Sequence, residues 1–321
     1  MAPRRSVRVA LPLLLLGAGL ALYVWGWGKE PPRRELDPAA FERIYRQVPP
    51  DQVERLLAFR ATHPYKELGV AGAQWRYIAC GQGDLTVLLL PGGSRLAEGA
   101  FVLITLLEAD YRIIAPCYPP VRTMGELSDG LAAILEAEGV RQADVYGASF
   151  GGMVAQCLVR RHPERVRRLV LANTGIPRLA APLQALLGSV RYLPTPAVLA
   201  MFRQSLSGAL AADDPEAAFW RAHLQERFAC CVTRADAVAC FENGLDFMRN
   251  WRLSPSDLAG WPGQVLVLES DRDQTFKPAE RQAVRDLYPQ AQVHVFRDAP
   301  HEPWRTHREE YLSTVKAFLR R

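Results

Sequence analysis

From about residue 74 onward, short apolar runs alternate with longer helical patterns. Gln74-Trp75-Arg76-Tyr77-Ile78-Ala79 alternates with period two, and Gly81-Gln82-Gly83-Asp84 then turns into Thr86-Val87-Leu88-Leu89-Leu90, an apolar run of the kind carried by a strand buried on both faces. Similar runs occupy residues 111–115, 144–146, 169–172, 265–268 and 293–296. Helical patterns fill residues 126–139, 151–162, 278–287 and 304–319. Strands alternating with helices imply βαβ crossovers and a mainly parallel sheet. Residues 175–261 are the exception, with helix-like stretches and no clear strand. An insertion of about 85 residues at one point of a βα series reads as a lid over the strand ends, where open α/β sheets bind ligands.

Ahead of this body lies a different pattern. Residues 9–28 (VALPLLLLGAGLALYVWGWG) carry no charge, and at 1.5 Å per residue they span roughly 30 Å, one hydrocarbon thickness. Arg4, Arg5 and Arg8 precede the run, while Tyr23, Trp25 and Trp27 at its far end suit an interfacial aromatic belt. A cleavable signal peptide is the competing reading, but no Ala-x-Ala stands before the polar stretch that starts at Lys29. We therefore expect residues 1–28 to be an uncleaved single-pass anchor, with a short cytosolic tail and an exported body. Residues 29–65 read as a linking helical segment: Asp37-Pro38 starts one helix and Pro49-Pro50-Asp51 another, through Val53, Leu56, Leu57 and Phe59. Packing against the body is their plainer role.

The composition, 49% apolar and 23% charged over 321 residues, is that of a folded chain. The net charge of +5 draws attention to polyanions, but the 39 basic residues include only four lysines (Lys29, Lys66, Lys277, Lys316), and the arginines are scattered among acids along the whole length. That distribution argues against nucleic-acid binding. None of the six cysteines forms CxxC or a zinc spacing. Cys80, Cys117 and Cys157 lie in strand or helix patterns as small buried apolar residues; in an exported body, Cys230 or Cys231 could pair with Cys240.

Directly after the strand at 144–146 comes Gly147-Ala148-Ser149-Phe150-Gly151-Gly152, and then a helix. This is G-x-S-x-G in the strand-turn-helix context that makes Ser149 a candidate nucleophile, because only small neighbours tolerate so sharp a turn. A hydroxyl needs a base, and the base an orienting acid. His63 and His162 each precede a proline at a helix end, His223 lies in the lid, His294 in the last strand and His307 in the last helix. His301 stands in a loop after the last strand, on the same sheet edge as Ser149, and is the candidate base. Acids after the strand at 265–268 are Glu269, Asp271 and Asp273. Asp273 is preferred for its reach into the loop, with Asp271 as rival and Asp298 as a surrogate. Backbone N–H groups of Phe150 and of Gly93, in the loop Pro91-Gly92-Gly93-Ser94, would stabilise the oxyanion.

With these motifs in place, residues 66–321 resemble the α/β-hydrolase superfamily. The resemblance implies an eight-stranded, mainly parallel sheet flanked by helices, with a helical cap inserted after the sixth strand, here at about 176–261. It also implies a Ser149-Asp273-His301 triad, oxyanion donors at Gly93 and Phe150, and no cofactor. Ala-Pro-Cys-Tyr-Pro (115–119), Gly-Ala-Ser-Phe-Gly-Gly (147–152) and Glu-Ser-Asp-Arg-Asp-Gln (269–274) look closest to the maspardin-like branch. Two positions depart from the common pattern: Pro91 where many members have His, and Cys117 where many have Asp. The expected activity is hydrolysis of a small ester or similar acyl substrate, apolar to match a lid rich in Leu, Phe and Ala. The rival is an inactive scaffold that binds a protein or lipid partner.

Overall fold

Along the strand Thr86–Leu90, Val87 and Leu89 face one side of a sheet while Leu88 and Leu90 face the other, so a single five-residue segment feeds two cores. The computed structural model that shows this describes residues 36–178, 181–207, 214 and 216–320, with backbone alone at 181–183 and 186. The expected anchor, residues 1–28, lies outside the described residues. Among the described residues no helix is long and apolar enough to cross a membrane.

Two helices open the described chain, α1 (Pro38–Tyr45) and α2 (Pro50–Thr62). Each starts with a proline, whose missing N–H would have no intrahelical partner there. The strands follow as β1 (Lys66–Val70), β2 (Ala73–Cys80), β3 (Thr86–Leu90), β4 (Arg112–Cys117), β5 (Ala143–Ala148), β6 (Val166–Ala172), β7 (Gln264–Ser270) and β8 (Gln292–Phe296). They form one sheet in the order β1-β2-β4-β3-β5-β6-β7-β8, antiparallel at β1-β2-β4 and parallel from there on. Helices α3 (Phe101–Leu107), α4 (Met124–Ala137), α5 (Phe150–Arg161), α10 (Pro278–Leu287), α11 (Pro303–Thr306) and α12 (Arg308–Leu319) cover its faces. The four described cap helices are α6 (Ala181–Ser189), α7 (Thr195–Ser207), α8 (Ala217–Cys230) and α9 (Arg234–Asn250), all inserted between β6 and β7.

One face is packed by α4, α5 and α10 through Leu127, Leu131, Val154, Leu158 and Leu287; the other by α3 and α12 through Phe101, Ile104, Tyr311 and Phe318. Tyr45, Leu56 and Phe59 from α1 and α2 belong to this second core, so the segment expected to link anchor and body is part of the body's packing. Truncating a fully buried leucine such as Leu88 to alanine would cost about 2–5 kcal/mol.

Two features differ from the sequence expectation. Strand β1 escapes the pattern because Lys66-Glu67-Leu68-Gly69-Val70 is an edge strand with no buried position; its pairing is set by the Ala71-Gly72 turn, both residues at positive φ. The terminal helix expected at 304–319 is broken at His307, whose φ −122° and ψ 45° leave the helical region between α11 and α12.

Candidate active site

Ser149 joins β5 to α5 with φ +52° and ψ −119°, a conformation that L-residues avoid and the surroundings must hold. A Cβ on Gly147 would sit 2.4 Å from the Gly151 carbonyl oxygen, and one on Gly151 would sit 2.6 Å from that of Leu90, so the turn exists only with glycine at both places. The strained residue is fastened on both sides. Its N–H donates to Ala172 O (2.9 Å), and its carbonyl accepts the Thr174 hydroxyl (2.7 Å) and the Gly152 N–H (3.0 Å). Phe150 starts α5, where first-turn N–H groups have no intrahelical acceptor.

Asp273 and His301 are both buried, 5% and 7% exposed. His301 Nδ1 lies 3.0 Å from each Asp273 carboxylate oxygen, and Oδ1 also accepts the N–H groups of Thr275 (2.7 Å) and Phe276 (3.1 Å). An ionised Asp273 so placed assigns the proton to Nδ1 and leaves Nε2 as the basic nitrogen. The rival acids are engaged elsewhere. Glu269 is paired with Arg285 inside β7, Asp298 with Arg272 at 2.6 Å on the surface, and the Asp271 carboxylate takes backbone bonds from Asp298 and Ala299. The other histidines have partners of their own: His63 with Glu108, His162 with Asp129, His294 with Glu310, and His307 with the Thr306 hydroxyl.

Ser149, His301, Gly93 and Ser94 line one cavity of about 300 Å³ under the cap, with Leu103, Phe202, Leu206, Trp220 and Trp304 supplying apolar wall. Among the described residues no hydrogen bond joins Ser149 Oγ to His301; the two side chains meet through the cavity they share. Active-site hydrogen bonds that tighten only with substrate bound are common in unliganded enzymes.

Two buried polar residues that the sequence pattern does not reveal hold this corner together. Asn173, at φ +39° after β6, donates through Nδ2 to His301 O (2.5 Å) and to the Ser270 hydroxyl (2.9 Å), and its Oδ1 accepts the Ser270 N–H (2.8 Å). It thereby clamps β6 and β7 to the His301 loop. Arg95, 1% exposed and at φ +63°, follows the Gly93 loop and donates to Asn243 of α9 (2.8 Å) and to Pro119 O (2.6 Å), locking that loop to the cap. Isolated asparagines and arginines carry no periodic signal; only burial exposes their role.

Away from the serine, the cavity wall includes His223 and Arg227 of α8, which enter a buried charge network. Glu98, in the turn after the Gly93 loop, pairs with Arg60 of α2 (2.7 Å), Arg227 (3.0 Å) and His223 (2.9 Å). Glu226 pairs with Arg60 (2.9 Å) and accepts the Tyr45 hydroxyl (2.7 Å). Burial alone would raise the Glu98 carboxyl, yet the bonds from His223 and Arg60 and the charge of Arg227 hold it well below the usual carboxylate range. Burial pushes His223 down, opposed by its bond to Glu98. The carboxylates of Glu98 and Glu226 and the His223 imidazole could be taken for a metal set, but the guanidinium groups of Arg60 and Arg227 already neutralise the two acids.

The profile of the alpha/beta hydrolase fold family matches residues 110–304, more than half of the chain and inclusive of Ser149, Asp273 and His301. The chain belongs to that family. A curated relative, the 2-hydroxymuconate semialdehyde hydrolase of Pseudomonas putida, is 31% identical over 195 residues, 58% of this chain; the chain spans 65% of that relative's length. Among solved structures, a thermophilic esterase from Thermogutta terrifontis aligns over 80% of this chain and 98% of its own with a TM-score of 0.64 at 21% identity. A membrane phospholipase A, described as a bacterial virulence factor, aligns over 96% and 98% with a TM-score of 0.62, also at 21% identity. These two likenesses concern the fold. Among the curated relatives are hydrolases, and the maspardin-like comparison rests on its three short motifs.

Proposed function

We propose that this alpha/beta hydrolase is a serine hydrolase of an apolar or amphiphilic acyl ester. His301 Nε2 takes the proton of Ser149 Oγ as the oxygen attacks the acyl carbon, and the N–H groups of Gly93 and Phe150 receive the developing oxyanion. The imidazolium, steadied by Asp273, protonates the leaving alcohol; water then attacks the acyl-enzyme with His301 again as base. The observation that carries this reading is the buried Asp273–His301 pair, whose imidazole lines the same cavity as a serine held in a strained elbow. The apolar cavity wall supports an acyl chain as ligand.

The same attack on a carbon flanked by carbon rather than oxygen would cleave a C–C bond, and the P. putida relative's name favours this as a second reading. For location, we propose that residues 1–28 anchor the enzyme with its body on the exported side. The uncharged 20-residue run supports this, as does the likeness over 96% of the chain to a membrane phospholipase A. The test is steady-state hydrolysis of p-nitrophenyl esters of increasing chain length beside 2-hydroxymuconate semialdehyde, with a Ser149→Ala control. The ester reading expects kcat/KM to rise from acetate to medium chains and to vanish in the control. Turnover of the semialdehyde alone would favour the C–C reading, and turnover of neither the scaffold reading.

A further inference from the structure

Neighbouring side chains on a helix point about 100° apart and do not face each other. Cys230 and Cys231 break this rule. Helix α8 ends at Cys230, Cys231 leaves the helical region at φ −125° and ψ −28°, and the two sulfurs converge to 2.6 Å. Both thiols are half-buried and free, within reach of a small reagent. Cys240, the partner considered from sequence, instead directs its sulfur toward Gly93 O. We propose that Cys230 and Cys231 form a vicinal dithiol that oxidises reversibly to an intrachain disulfide and stiffens the corner between cap helices α8 and α9.

The corner is short and tied to the cavity. The Arg227 carbonyl accepts the N–H groups of both Cys231 (2.9 Å) and Val232 (2.8 Å), and α9 begins at once with a Thr233–Asp236 capping box. Arg227 and Val232 both line the cavity. The roles of the two sulfurs are unequal. Contact with the Cys230 thiol, then burial acting against it and the nearby Arg227 charge acting with it, leaves Cys231 lowered to about 7; the same contact together with burial pushes Cys230 up. Cys231 is thus the thiolate that attacks a peroxide oxygen, giving a sulfenic acid and releasing water after protonation. The Cys230 sulfur then attacks the Cys231 sulfur and expels the second water. In sum, two thiols and one hydrogen peroxide become a disulfide and two waters, and a dithiol reductant reverses the change.

The test uses the full chain in detergent, and its readouts do not depend on the hydrolase reading. After hydrogen peroxide and then iodoacetamide, a peptide containing both cysteines should be unalkylated and lighter by about two mass units, and dithiothreitol should reverse this. Phenylarsine oxide, which bridges close thiols, should protect both from alkylation; Cys231→Ser should lose both effects while keeping the circular dichroism of the parent. Oxidation should slow amide hydrogen exchange in the peptide spanning 228–233 at least about threefold. Independent alkylation of both sulfurs after peroxide, oxidation of one cysteine to its sulfinate without the linked product, or unchanged exchange in the linked protein would each overturn the proposal.

Discussion

The serine corner and the charge network beneath the cap are built to opposite plans. At the corner, few polar groups are committed: one carboxylate, one imidazole and one strained serine, each on a loop at the end of a strand, with Asn173 clamping the loops. In the network, two acids and two guanidinium groups are joined by His223 and Tyr45, and α1, α2, the Glu98 turn and α8 are bound into one unit. A site that must move a proton leaves its base with a free lone pair. A site that holds elements together ties its charged groups to one another. The difference predicts that substitutions at the corner cost rate and little stability, while substitutions in the network cost stability and little chemistry.

The largest effect falls at the corner. Asp273→Asn should lower kcat/KM for a nitrophenyl ester by about 10⁴-fold, through loss of the correct His301 tautomer, while the thermal midpoint stays close to that of the parent. A comparable fall in midpoint would merge the two regions. Next comes Glu98→Gln, which strips a buried anion from Arg60, Arg227 and His223; equilibrium unfolding in urea should show a loss of about 3–5 kcal/mol, with kcat of the folded protein within about tenfold. Asn173→Ala belongs to both plans and should cost about 1–3 kcal/mol in the same assay together with a fall of about tenfold in kcat, since it frees the His301 loop.

The smallest effect is in pH. His223 is held below its ordinary 6.5 by burial, so the unfolded chain binds the proton first as pH drops. Stability present above 6.5 is therefore lost as pH falls through the lowered value. Glu98, held below 4.5 against burial by its bonds to His223 and Arg60 and the charge of Arg227, and Glu226, held there by its bond to Arg60 and the charge of Arg227, add a second loss further into acid. Thermal midpoints from pH 8 to pH 4 should fall in the window below 6.5 for the parent, and that first decline should disappear in His223→Gln. A decline of the same size in both proteins would remove His223 from the account.

How much of this could be read from the chain follows from how local each signal is. Pro38, Pro50 and Pro278 set helix starts by their own backbone chemistry, and all three helices begin where those prolines stand. Ser149, Asp273 and His301 follow a chain order and a strand-loop context, and the preference for Asp273 over Asp271 and Glu269 rests on reach into a loop, which can be counted in residues; the structure pairs Asp273 with His301. The clamps and the network were not legible. Arg60 meets Glu98 from 38 residues away and Tyr45 meets Glu226 from 181, and no spacing rule links such positions. Strand β1 was missed for a related reason: a half-solvated edge carries too few apolar residues to show a period. The two joining helices were located well, but their membership in the core is a property of what they touch.

The central claim is that Ser149 is a nucleophile activated by His301. It is tested most directly by treating the purified full chain with a fluorophosphonate and measuring intact mass beside Ser149→Ala and His301→Ala. We predict one adduct per chain, mapped to Ser149, absent in the first variant and slowed by about 10³-fold or more in the second. A well-folded parent that takes no adduct, or one that takes it at another residue, would contradict the account.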